Sequence, residues 1–277
     1  MGEAAIEPRI LELSDKPDSW HDWLRDVRQH LDVLLVLAGK DFRTRYKRAS
    51  LGVTWAVAVP VLQASVMAVV FSHVVRAGGG PNFTIYVMSG IIPFFYFSTV
   101  LNSSSISIVD GAGLSDKIWF PRVMLAVVPM LSNLVGLLAA LGVLVVAMPI
   151  LGVHYGVRLL LLPVAVLMLI ALVGSLSLVL SALYVYFRDV KYLVQAALMV
   201  WLYLTPIVYP ISLLHSISGV VTANPLTGVV AVFRVATVGQ RGPLLAPLLV
   251  TIGVTLALTI AGLEAQRRRD RLFVDLL

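Results

Sequence analysis

Fifteen acidic residues and five histidines are the groups from which this 277-residue chain could build acid–base or metal chemistry, and their placement leaves that chemistry without a candidate. Every Asp and Glu falls in a segment rich in basic residues or at its edge, and none sits inside a long apolar run. Proton- and sodium-coupled carriers usually hold a carboxylate at bilayer depth. His21, His30, His73, His154 and His215 are scattered among segments, with no i, i+4 pair to present two imidazoles to one metal ion; each reads as structural or interfacial. With no cysteine, disulfides, thiolate metal sites and Cys nucleophiles are excluded. No G-x-x-x-x-G-K-[ST] loop occurs to cradle a nucleotide. The sequence thus assigns no catalytic residue, no metal ligand and no bound cofactor.

Cationic and aromatic side chains remain. Lys40, Arg43, Arg45, Tyr46, Lys47 and Arg48 form one basic cluster, and such groups suit a phosphate or pyrophosphate head group. Phe94, Phe95, Tyr96 and Phe97 stand beside Asn102, Ser103, Ser104, Ser105 and Ser107, with Tyr184, Tyr186, Trp201, Tyr203 and Tyr209 farther along. Rings stack on the C–H faces of sugars, and hydroxyls and amides make weak, repeated hydrogen bonds; a path for a long glycan needs both. The competing reading is an interfacial aromatic belt with serines that let helices pack closely.

The elements that must position these groups are set by hydropathy. The chain is 59% hydrophobic and 13% charged, with mean hydropathy +0.92, where soluble domains carry about a quarter of charged residues. Uncharged runs lie between Arg48 and Arg76, Arg76 and Asp110, Arg122 and Arg158, Arg158 and Arg188, Lys191 and Arg234, and Arg241 and Glu264. Each can hold a membrane helix of ~20 residues. The run after Lys191 is too long for one helix, and Pro206, Pro210, Gly219, Asn224 and Pro225 break it; a span from about Tyr192 to Tyr209 and short helices that do not cross are expected. The fold class is all-α, a polytopic membrane protein of six transmembrane helices.

Orientation follows from the basic residues, which are retained on the cytoplasmic side. With the N-terminus inside, seventeen Lys and Arg residues fall on inner segments, and only Arg76, Arg158, Arg234 and Arg241 fall outside. Both termini are then cytoplasmic, and the net charge of +6 reflects topology in the cytoplasmic membrane, not nucleic-acid binding. The first thirty residues carry Glu3, Glu7, Glu12, Asp15, Asp18 and Asp22, so no cleavable signal is read there. Trp20, Trp23, Leu24, Val27 and Leu31 recur at helical spacing, and the apolar face continues through Phe42 opposite Lys40, Arg43 and Lys47. That pattern predicts a helix lying on the inner membrane surface.

The stretch KDFRTRYKRASLGVTWAVAVPVLQ resembles the start of the permease subunit of ABC exporters for polysaccharides and polyol phosphates, the Wzm and TagG group. The matching residues are Arg43, Arg45, Tyr46, Lys47, Leu51, Gly52, Trp55 and Pro60. Further matches follow in the same order. Gly90, Pro93, Phe94 and Phe95 look like the family's second span; Lys117, Phe120, Pro121 and Arg122 look like its cytoplasmic loop. FRDVKYLVQAALMVWLYLTPIVYP, NPLTGVVAVFR and the tail RRRDRLFVDLL complete the series. One departure is Leu125-Ala126-Val127, which lacks a proline common there.

The resemblance implies three working parts. Residues 1–50 hold the interface helix, with Lys40, Arg43, Arg45, Tyr46, Lys47 and Arg48 facing the head group. Residues 51–264 form the transmembrane domain. Within it, loop 109–122 forms a cytoplasmic coupling helix that docks in a partner ATPase through Asp110, Leu114, Asp116, Lys117, Phe120 and Arg122. Segment 208–235 forms short re-entrant gate helices on the outer side, marked by Pro206, Pro210, Asn224 and Pro225. Residues 265–277 form a basic cytoplasmic tail. A homodimer would enclose the channel, two copies of the ATPase would use ATP and Mg, and a lipid-linked glycan of O-antigen, teichoic acid or galactan type would pass. A plain positive-inside loop is the alternative for 109–122. For the whole chain the alternatives are a secondary carrier or channel without an ATPase and a membrane-embedded glycolipid enzyme.

Overall fold

The computed structural model describes residues 19–74, 82–111, 120–207, 209, 218–240 and 244–269. Among the described residues all regular structure is helical, as lipid demands of a chain that must satisfy its own backbone donors and acceptors. The elements are α1 (Trp20–Gln29), α2 (Leu31–Tyr46), α3 (Trp55–Val74), α4 (Phe83–Asp110), α5 (Val123–Ser132), α6 (Leu134–Ile150), α7 (Leu162–Tyr186), α8 (Val190–Leu204), α9 (Ser218–Ala223), α10 (Pro225–Val238) and α11 (Leu245–Arg269).

Among the described residues four stretches are long and apolar enough to cross a membrane: Phe83–Asp110, Val123–Ile150, Val157–Tyr186 and Leu245–Arg268. The second of them combines α5 and α6, which meet at Asn133; its side-chain amide donates to the Pro129 carbonyl at 2.7 Å. Helices α3 and α8 occupy the other two runs expected to span. With 15 residues, α8 rises ~22 Å at ~1.5 Å per residue, short of a ~30 Å hydrocarbon core. It ends at Leu204, five residues before the expected Tyr209, because Pro206 has no amide hydrogen to continue the helix.

Helix α4 is the hub. It packs against α3, α5, α6, α7, α8 and α10, and its apolar window is 78% buried while that of α11 is 17% buried. The main core forms around it from Ile85, Phe97, Leu144, Leu169, Val229 and Phe233. A second core unites Trp23 of α1, Ile108 near the end of α4, Phe120, Val123 and Met124 at the start of α5, and Val185 near the end of α7; Leu263 of α11 packs on it. The charged ends of alternate helices therefore gather at one pole, as an up-and-down bundle requires.

At that pole the single surface helix expected over 20–47 is two helices. Its break falls at His30, whose backbone N–H bonds back to Asp26 and Val27 carbonyls. Trp23 is buried in the second core, so α1 is clamped to protein through one indole.

Candidate coupling pole and exit pole

Two groups of residues flagged by the sequence lie at opposite ends of α4. At the charged pole, Asp110 is the last residue of α4 and exposed, while Phe120 and Arg122 are buried against the start of α5. Leu114, Asp116 and Lys117, with the coupling helix expected around them, lie outside the described residues. The loop's two described flanks are thus anchored, Asp110 by its helix and Phe120 by the second core.

Lys40, Arg43, Arg45 and Tyr46 belong to α2, and Lys47 and Arg48 form the turn that follows. Arg48 has a left-handed backbone, φ 71°. Arg45 donates to the Asn133 side-chain oxygen at 2.6 Å and to Asp41 at 2.9 Å, so part of its donor capacity is spent within the chain. A groove of about 460 Å³ runs beside it, lined by Lys40, Asp41, Arg45, Ser103, Ser107 and Asp110 among others. Cations and carboxylates alternate along it.

The aromatic and hydroxyl groups proposed for a glycan path are dispersed. Phe94 and Tyr96 are buried in the main core, and the Tyr96 hydroxyl donates to the Met130 carbonyl at 2.9 Å. Phe95 is partly buried beside them. The Asn102 amide donates to Ser98 and the Ser103 hydroxyl to Thr99, each a backbone carbonyl of the same helix at 3.0 Å. These groups satisfy themselves locally, a common fate of hydroxyls inside helices. Tyr184 lies under the Arg188 guanidinium, 5.3 Å from ring centroid to Cζ. Tyr203, 75% exposed, belongs to the outward face of α8 with Leu193, Met199 and Val200.

The far pole is more ordered than the sequence suggested. Trp201 stacks edge-on against Phe97, with centroids 5.1 Å apart, and its indole donates to Asn224 at 2.9 Å. Asn224 also accepts from the Leu226 amide at 3.0 Å, capping α10 while Pro225 takes the first helical position, where no N–H is needed. Its own amide donates to Thr205 Oγ1 at 3.0 Å and to the Leu204 carbonyl at 3.4 Å. One side chain therefore starts α10 and terminates α8. Pro206 is buried in the same place; Pro210, and most of the segment after it up to α9, lies outside the described residues.

Arg234, one of the four basic residues counted on the outer side, is 2% exposed within α10. Its guanidinium donates to the Pro206 and Ile207 carbonyls, the latter at 2.8 Å. It also lies over the Tyr86 ring, 3.6 Å from the centroid. The Tyr86 hydroxyl in turn donates to the Tyr209 carbonyl at 3.2 Å. The signal that could have found it is periodicity: Val230 and Thr237, four positions before and three after, share a helix face with Arg234, and a solvated arginine rarely sits on such a face.

An all-helical bundle with four helical stretches of lipid-spanning length among the described residues, its charged ends gathered at one pole, is the architecture of a multi-pass membrane protein. Residues 32–238 match the model of the ABC-2 type transporter family, and the chain belongs to that family as a membrane component that is not itself an ATPase. It is 27% identical over 259 residues to the O-antigen export system permease protein RfbA of Myxococcus xanthus, covering 91% of this chain and 98% of that one. A protein of the same name from Klebsiella pneumoniae is 28% identical over 210 residues, 73% of this chain and 79% of its own. The polysialic acid transport protein KpsM of Escherichia coli is 30% identical over 76 residues, 27% of this chain and 30% of its own.

Proposed function

We propose that this chain is the permease of an ATP-driven exporter that moves a lipid-linked polysaccharide across the cytoplasmic membrane. The observation that carries the reading is the correspondence with an O-antigen export permease over 91% of this chain and 98% of the relative. In this reading six helices span, α3 and α8 being the first and fifth, and both termini are cytoplasmic. Arg43 of α2 and the basic turn at Lys47 and Arg48 meet the lipid head group, Arg45 being partly committed to Asn133. Two permeases pack to enclose the channel, and the outward face of α8, with Met199 and Tyr203 near its end, is the surface suited to line it.

Loop 109–122 carries the coupling helix. Its flanks Asp110 and Phe120 are fixed to α4 and to the second core, so a push on Lys117 at the ATPase surface is transmitted into α4 and α5 as rigid bodies. ATP and Mg stay with two copies of the partner ATPase.

The test is to purify the tagged chain from its native membrane in mild detergent and identify what accompanies it. A stoichiometric ATPase is expected, and Lys117→Ala should lower its permease-dependent hydrolysis by about tenfold, a coupling of ~1.4 kcal/mol. Arg122→Gln adds a second reading at the buried flank. A permease that keeps its oligomeric state yet brings no ATPase would overturn the proposal.

A further inference from the structure

Where α8 stops, the chain runs on as irregular backbone through Thr205, Pro206 and Ile207, all of them buried. Carbonyls there have no helical partner, and inside a membrane protein such backbone persists only when protein or water satisfies it. Tyr203, Leu204, Pro206, Ile207 and Tyr209 each offer a carbonyl that is taken by a side chain from elsewhere in the chain or from the segment itself. Arg234 takes two of them, and it is the cation among those partners.

Arg234 is also buried without an opposite charge: among the described residues no carboxylate pairs with it, and its Nε has no hydrogen-bond partner. Burying a guanidinium in that way is costly, so its setting must be built to receive it. Three features do so. The two carbonyls sit just beyond the C-terminus of α8, where the helix dipole favours a cation. The Tyr86 ring covers one face of the guanidinium plane at 3.6 Å. Gly90 supplies the room: a Cβ there would stand 3.2 Å from the Ile207 side chain and 3.5 Å from Arg234 Nη2.

We infer that Arg234 is a positioning residue, which pins the segment 205–207 against α4 and so fixes where Tyr203 and Tyr209 stand at the exit of the channel. That this place is the exit rests on the exporter reading; the pinning does not. Arginine is favoured because its Nη2 bonds both the Pro206 and Ile207 carbonyls while the flat face of the guanidinium stacks on the Tyr86 ring. Lysine can follow one carbonyl but cannot stack in this way.

The chain has no cysteine, so a single introduced thiol reports on the segment. Ile207→Cys leaves the backbone carbonyl in place at a side chain that is 1% exposed; Tyr155→Cys, at a side chain 54% exposed in the loop before the Val157–Tyr186 stretch, serves as reference. In membranes, N-ethylmaleimide should label the thiol at position 207 at least about tenfold more slowly than the one at position 155, because only an exposed thiolate reacts. Adding Arg234→Gln should bring the two rates to within about threefold through local opening, with Arg234→Lys between. Tyr86→Leu, which keeps the cation and removes its ring, should also raise labelling at position 207, and it decides the matter if the Gln variant does not accumulate. Unchanged protection of the position-207 thiol in the variants that accumulate overturns the pinning.

In the complex with its ATPase, Arg234→Gln should lower glycan exported per ATP hydrolysed while hydrolysis continues, and Arg234→Lys should recover part of it. A general loss of structure would lower both together. Raised labelling with an unchanged export ratio would overturn the role at the exit, whereas raised labelling in a chain that brings no ATPase would leave the pinning standing and remove the exporter reading alone.

Discussion

Arg45 and Asn133, 88 positions apart, are joined by a 2.6 Å hydrogen bond from the guanidinium to the side-chain amide oxygen. Asn133 sits where α5 gives way to α6, and its own amide holds the Pro129 carbonyl. The bond therefore ties the basic N-terminal helix to the interruption within a membrane-length stretch. Arg45 also holds Asp41 one turn back, which orients its fork.

A double-mutant cycle follows from that geometry. Arg45→Ala and Asn133→Ala should each lower stability in detergent by about 1 kcal/mol, and the double variant should lose less than their sum, because the shared charge-assisted bond is removed in both singles while the Asp41 and Pro129 bonds are each lost in only one. Arg45→Lys should not restore the loss, since a single ammonium cannot serve Asp41 and Asn133 with the same spread of donors. Strict additivity of the two alanine variants would show that the bond does not couple them.

Asn224 makes a sharper case. Alanine there removes the cap of α10 and leaves the part-buried Trp201 N–H and Leu204 carbonyl and the buried Thr205 hydroxyl without this partner. Loss of the cap and of buried partners together should cost about 2–4 kcal/mol. Trp201→Phe removes one donor and leaves Asn224 bonded to the Leu226 amide, so about 1 kcal/mol is expected. Thermal unfolding followed by loss of helical signal ranks the two, and an Asn224→Ala cost no larger than that of Trp201→Phe would contradict the shared role.

Trp23 and Trp20 are neighbours in a T-shaped pair, centroids 6.0 Å apart, yet they should behave differently. Trp23 is 4% exposed and its indole nitrogen has no hydrogen-bond partner. Trp23→Ala should cost about 3–5 kcal/mol, while Trp23→Phe, which discards only the unpartnered N–H and some area, should cost far less. Trp20 is 39% exposed and covers Arg267, 4.8 Å from ring centroid to Cζ, so Trp20→Ala should cost no more than about 1 kcal/mol. Protease access to α1 measures the docking directly. Equal sensitivity of the two alanine variants would mean that α1 is not anchored through Trp23.

What the sequence disclosed depended on how local the controlling physics was. Apolar run lengths located α4, the α5–α6 stretch, α7 and α11, because the lipid requirement is written in consecutive residues. The Asn-Pro pair at 224–225 was legible as a break in the apolar run, and its capping of α10, also a local matter, is what the structure adds. By contrast, the break at His30 has no Pro or Gly to mark it; it arises where Trp23 is drawn into the second core. Charge counting could not show that Arg234 is buried, because it takes each arginine as solvated and the acceptors lie 27 and 28 positions away. The serines after Phe97 were ambiguous for the opposite reason: a hydroxyl that bonds its own helix and one that faces a pore have the same letters around them.

Two glycines separate close packing from mere tolerance. A Cβ on Gly228 would stand 2.5 Å from the Pro247 carbonyl oxygen and 2.9 Å from its carbon, both backbone atoms. Beside that contact the Thr251 hydroxyl lies 2.6 Å from the Pro225 carbonyl and 2.8 Å from that of Pro247, so α10 and α11 touch through main chain and one shared hydroxyl. Backbone cannot step aside as a flexible side chain can, and Gly228→Ala should therefore part the two helices and cost about 1–3 kcal/mol. Gly142, within α6, has nothing within 4 Å of its missing Cβ. Gly142→Ala should be neutral or stabilise by up to about 1 kcal/mol through helix propensity. Unfolding temperatures of the two variants in one detergent give the comparison, and a Gly228→Ala protein as stable as Gly142→Ala would show that α10 and α11 are not in backbone contact there.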